Sequence, residues 1–224
     1  MIPWSLLGKA KVPGGGELRL RKRGTEFAIV LGGNQLMSSH LSVTEQALAT
    51  IACDKLKAAK KPRILIGGLG MGFTLRAALA VLGPQAKITV AELVPEVVAW
   101  ARGPMAKLFG GCLDDPRVAI HETDVGELIR AARATYDAIL LDVDNGPAGL
   151  SRKANDKLYE AKGLRAAQAA LRPGGVLAVW SSTPNAEFTA RLRKAGFEVK
   201  EYPLRARGPH GGAQHFIWIA TRAR

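Results

Sequence analysis

The stretch ILIGGLGMGFTLR, residues 64–76, decides the fold. A short apolar run ends in Gly67, and Gly68, Gly70 and Gly72 then alternate with other residues as a helix-forming segment begins. Such a turn between a buried strand and a helix lets the backbone approach a ligand closely. Downstream, apolar runs at 87–92, 117–121, 137–142 and 174–180 alternate with helical stretches near 73–82, 95–102, 125–134 and 155–171. This alternation predicts an α/β fold: a doubly wound, mostly parallel sheet with helices on both faces. The end of the chain departs from it. A helix at 186–195 precedes FEVKEYPL and AQHFIWIAT, two strands joined by a Gly-rich connection (205–215), which predicts an antiparallel last strand.

The polar residues of interest sit where the strands end. Glu92 closes the run ITVAE about 20 residues past the glycine loop, where an acid can accept hydrogen bonds from ribose hydroxyls. Read structurally, it is only the neighbour of a helix cap. Asp124 heads a helix and either caps it or reaches an adenine amino group. Leu93 and Val125, their neighbours, complete this nucleoside side. Asp142 ends the buried run Ile139-Leu140-Leu141, and Asp144 and Asn145 follow at once. A carboxylate at the lip of a sheet can orient or deprotonate a nucleophile, so these three form the expected catalytic group. The cofactor-binding set read from the strand tips is Gly68, Gly70, Met71, Gly72, Glu92, Leu93, Asp124 and Val125.

Composition narrows the partners. The chain has 224 residues and a formal net charge of +13, a field that draws anions, so an anionic small-molecule acceptor is one option. The basic residues are dispersed over Arg19–Arg23, Lys55–Arg63, Arg191–Lys200 and Arg205–Arg224 without aromatic interleaving, which does not favour nucleic acid. Cys53 and Cys112 form no CxxC pair, and His40, His121, His210 and His215 are scattered, so no metal is expected and a reducing, cytoplasmic setting fits. The opening MIPWSLLGKA lacks a secretory pattern, and no run approaches the roughly 18 apolar residues of a membrane span. GELRLRKRGTEFAIVLGG (16–33) reads as a β-hairpin turning at Arg23-Gly24, and VTEQALATIACDKLKA (43–58) as an amphipathic helix with Thr44 as its cap. The expected division is 1–60, hairpin plus helix, and 61–224, a Rossmann-like catalytic domain that holds the cofactor.

These residues make the chain resemble the spermidine synthase (polyamine aminopropyltransferase) family, within the class I methyltransferase-type folds. The resemblance runs through NQLMSSHLSVTEQALA, the glycine loop with TLR, the acid of AEL, DDPRV and TD, YDAILLD, LYEAKGLRAAQAALRPGGVLAVWS and RLRKAGFEV. It implies a nucleoside-sulfonium donor, S-adenosylmethionine or its decarboxylated form, with ribose on Glu92, adenine on Asp124, Gln35 near the nucleoside and an amine-directed acid at Asp142. It also implies pairing into a homodimer through the N-terminal hairpin.

The differences set the functional expectation. The family's glycine loop carries an aspartate that holds the donor's ammonium, and Met71 stands there. Val43-Thr44-Glu45 replaces the family's Tyr-His-Glu, and the second acid after the fourth strand is replaced around Asp144-Asn145. A buried, unpaired ammonium costs several kcal/mol, so methyl transfer to an N or O nucleophile of a small molecule is the leading expectation. Aminopropyl transfer, with Asp144 or Glu45 supplying the missing acid, is the alternative. Nucleic-acid methylation and non-catalytic nucleoside binding stay open behind these.

Overall fold

The computed structural model describes residues 2–56, 59–143, 146–147 and 153–224. It opens with β1 (Ser5–Lys11), β2 (Glu17–Arg23), β3 (Glu26–Leu31) and β4 (Asn34–Ser38), then α1 (Val43–Asp54). Next come β5 (Arg63–Gly67), α2 (Phe73–Val81), β6 (Lys87–Glu92), α3 (Pro95–Arg102), α4 (Ala106–Phe109), β7 (Val118–Glu122) and α5 (Val125–Ala131). The remainder is β8 (Tyr136–Leu141), α6 (Lys153–Tyr159), α7 (Ala161–Ala170), β9 (Leu171–Ser181), α8 (Ala186–Lys194), β10 (Phe197–Arg205) and β11 (Gln214–Arg222).

The last seven strands form one sheet in the order β10-β11-β9-β8-β5-β6-β7. β5 pairs in parallel with both β6 and β8, while β11 lies antiparallel between β9 and β10, as the Gly-rich connection predicts. The chain therefore winds outward from β5 through β7 and returns to β8, which puts the switch in strand order between β5 and β8. Side chains alternate across this sheet. Ile64, Ile66, Ala138 and Leu140 join the core on one face, Leu65, Ile139 and Leu141 the core on the other. Burial on both faces explains why these strands read as continuous apolar runs rather than alternating ones.

Three expectations are corrected. The N-terminal hairpin is the middle of a four-stranded antiparallel sheet, β1-β2-β3-β4. Leu18, Leu20, Phe27 and Ile29 turn its inner face into the main core, and Gly8 of β1 sits so close to Trp100 of α3 that a Cβ there would lie 2.5 Å from Nε1. The single helix expected over 155–171 is two, broken at Glu160, and Leu171 already belongs to β9. Thr44 is no cap: Ser42 holds that position, and Thr44 is buried in the first turn of α1. Among the described residues no helix is long and apolar enough to cross a membrane.

Leu140, fully buried on the central strand β8, tests the sheet. Leu140→Ala should cost about 2–5 kcal/mol in urea-induced unfolding, whereas Val81→Ala on an exposed helix face should stay within about 0.5 kcal/mol.

Candidate active site

At the switch between β5 and β8 the two strand ends interlock. Asp142 N–H donates to the Gly67 carbonyl (3.0 Å), and Gly68 N–H donates to the Ala91 carbonyl (2.9 Å). A Cβ on Gly68 would stand 2.5 Å from the Asp142 carbonyl oxygen, and the residue has φ +90°, so only glycine fits. The loop then turns into α2 through Gly72, the helix N-cap, where a side chain would strike the Phe109 ring. Gly72 shapes the loop from behind and does not line the cavity.

Glu92 ties this loop to the next strand. Leu69 N–H donates to Oε2 and Val94 N–H to Oε1, each at 2.9 Å. Burial raises its pKa while these amides counter the rise. Glu92 is thus both a backbone clasp and part of the cavity wall. Asp124 likewise serves twice. It N-caps α5, accepting from Gly126 N–H at 2.6 Å, and borders the same cavity.

One cavity gathers Gly68, Gly70, Met71, Glu92, Leu93, Asp124, Val125 and Asp142. Its opposite wall comes from the N-terminal sheet, with Leu31, Leu36 and Met37. Gln35 is not in that wall; its side chain is exposed on β4, where irregular pairing with β3 breaks the alternation and lets the neighbours Leu36 and Met37 both reach the cavity. Asp144 and Asn145 lie outside the described residues.

The same cavity also holds two acids from distant parts of the chain, Asp142 and Glu45. Asp142 is buried and accepts from Thr74 Oγ1 at 2.6 Å. Burial raises its pKa, the Thr74 bond lowering it in part. Glu45 of α1 also lines the cavity. Burial, then the Asp142 charge, push its pKa up to about 7. Among the described residues no lysine or arginine pairs with either acid. Behind Glu45 stands Thr44. Its Oγ1 lies 2.9 Å from Glu45 Oε2, accepts from Trp180 Nε1 at 3.0 Å, and faces His215 Nδ1 at 2.9 Å. Trp180 and His215, read from sequence as core or solvent residues, are here in edge contact with ring centroids 4.8 Å apart.

The class follows from this arrangement: an α/β frame of the class I methyltransferase type, with a glycine loop and strand-tip acids around one cavity at the switch point. Residues 42–193 match the spermine/spermidine synthase domain, and the chain belongs to the spermine/spermidine synthase family. Polyamine aminopropyltransferase 1 of Streptomyces coelicolor is 36% identical over 124 residues, covering 54% of this chain and 22% of that protein. The polyamine aminopropyltransferase of Mycobacterium tuberculosis is 29% identical over 198 residues, covering 83% of this chain and 36% of that protein. The chain thus spans only about a quarter to a third of these relatives' lengths. A spermidine synthase structure from Thermotoga maritima has the same fold, with a TM-score of 0.76 at 19% identity over 97% of this chain and 73% of that one.

The raised Glu45 pKa has a definite sign for stability. The unfolded carboxyl ionises near its ordinary 4.5 and the folded one only near 7, so the native state binds more protons in between and loses stability as pH rises across that window. Glu45→Gln removes this loss. Thermal melts at pH 8 should show the variant above the wild type, by roughly 2–4 °C for each kcal/mol recovered, with the difference vanishing at pH 4.

Proposed function

We propose that this chain transfers an aminopropyl group from decarboxylated S-adenosylmethionine to an amine. One observation carries this reading: Glu45 and Asp142 are two partly buried acids that face the cavity, and among the described residues no lysine or arginine pairs with either. A buried carboxylate pair left unneutralised is costly, and an ammonium ligand relieves it. This reverses the order of expectations drawn from Met71. That methionine is buried in the loop and carries no charge, yet the acid it lacks is available from Glu45 on α1. The family match and the aminopropyltransferase relatives weigh the same way. The acids also suit a cationic acceptor better than the anionic one that the net charge suggested.

The residues present fit a nucleoside donor. Each Glu92 oxygen accepts one backbone amide and keeps lone pairs for ribose hydroxyls. Asp124 is placed for an adenine amino group. Leu93, Val125 and Met71 give apolar surface, and the backbone at Gly68 and Gly70 borders the same cavity. When bound, the sulfonium supplies a propyl carbon whose bond to sulfur breaks as the new N–C bond forms, leaving a neutral thioether. Asp142 orients the attacking amine, and the acid pair takes the proton that the amine sheds. Positioning of the reactants carries most of the remaining acceleration.

Met71 favours a second reading, methyl transfer from ordinary S-adenosylmethionine, because no acid in the loop itself addresses a donor ammonium. Calorimetry separates the two. The decarboxylated donor should bind more tightly than S-adenosylmethionine, and the reverse preference would restore methyl transfer. Asp142→Asn should then lower aminopropyl turnover on the order of 10²–10⁴-fold while donor affinity changes little.

A further inference from the structure

The hydrogen bonds of Thr44 use its whole capacity. A hydroxyl has one proton to give and two lone pairs, and Thr44 Oγ1 has three partners. Trp180 Nε1–H only donates. When Glu45 is ionised it only accepts, so Thr44 donates to Glu45 Oε2 and His215 must donate from Nδ1–H. When Glu45 carries its proton on Oε2, that proton points at Thr44, the hydroxyl turns to His215, and Nδ1 must offer a lone pair. With the proton on Oε2, the charge of Glu45 and the tautomer of His215 are coupled through one oxygen.

We infer that Thr44 and His215 form a relay that carries protons between the buried Glu45–Asp142 pair and solvent. His215 is half-buried on β11, whereas Thr44 is 1% exposed. The inference rests on the amine-acceptor reading above, which generates one proton per turnover inside a closed acid site. In the outward step Glu45 Oε2–H passes its proton to Thr44 Oγ1 as the hydroxyl proton passes to His215 Nδ1. The imidazolium then releases Nε2–H to water, leaving the Nδ1–H tautomer and an ionised Glu45. Return of the ring to the Nε2–H form through solvent resets the relay. Asp142 at the end of β8 acts on the Glu45 charge, Thr74 of α2 donates to the Glu45 backbone carbonyl, and Trp180 of β9 and His215 of β11 meet Thr44. Burial and the Asp142 charge raise Glu45 to about 7, while burial lowers the His215 pKa, which favours a neutral ring as Glu45 ionises.

The test needs no ligand. Nitrogen-15 spectra of the histidine-labelled full chain should show the His215 Nδ1 and Nε2 shifts exchanging places near pH 7 at constant ring charge. Glu45→Gln and Thr44→Val should abolish the exchange and Thr44→Ser should keep it, with the Trp180 indole signal reporting an intact fold. A His215 that shows one ordinary protonation step, alike in wild type and Glu45→Gln, overturns the relay. Thr44→Val should also lower kcat on the order of 10–100-fold with KM little changed, and Thr44→Ser should recover it. A chain that shows the tautomer exchange but transfers no aminopropyl group keeps the relay and overturns the reaction it was placed in.

Discussion

Where β5 and β8 end side by side, the Asp142 amide is hydrogen-bonded to the Gly67 carbonyl, and the Asp142 carbonyl occupies the place a Gly68 side chain would need. That junction fixes two things at once. It sends the glycine loop across the strand tips, leaving Glu92 to clasp it from β6, and it projects the Asp142 carboxyl inward, onto the Thr74 hydroxyl of α2. Because the apolar runs Ile64–Ile66 and Ile139–Leu141 are buried on both faces of the sheet, neither strand can slip to relieve the contact.

Electrostatics then divides the molecule into an outside and an inside that disagree. The surface carries the excess of Lys and Arg that makes the net charge +13. Exposed charges are screened over about 8–10 Å at physiological salt, so they reach the cavity weakly. Within it, Glu45 and Asp142 are held in a low-dielectric setting where each raises the cost of ionising its neighbour, and burial raises both. A basic surface field and an acidic cavity can coexist for this reason.

Much of the parallel sheet was legible in the sequence, since buried parallel strands announce themselves as apolar runs and their tips follow directly. Glu92, Asp124 and Asp142 were found that way, and all three border one cavity. The rest was hidden by long separations. Thr44 meets Trp180 across 136 residues and His215 across 171, and each alone resembles a helix cap or a core residue. Glu45 was visible only as a substitute acid because nothing local says that α1 lies over β8. The outer strands β1 and β4 escaped notice because β1 is irregular between Leu6 and Gly8 and β4 is short, with two exposed residues. The break between α6 and α7 leaves no mark in the apolar period; Gly163 packs there against the Lys157 and Leu158 carbonyls.

The central claim is that a cation neutralises the Glu45–Asp142 pair. Its most direct measurement is calorimetry of a linear aliphatic diamine binding to the full chain in buffers of different ionisation enthalpy. At pH 6, binding should expel up to about one proton, because the ammonium ionises Glu45. The release should fade above pH 8 and disappear in Glu45→Gln. Binding that expels no proton at pH 6, or a release unchanged by Glu45→Gln, would contradict the claim.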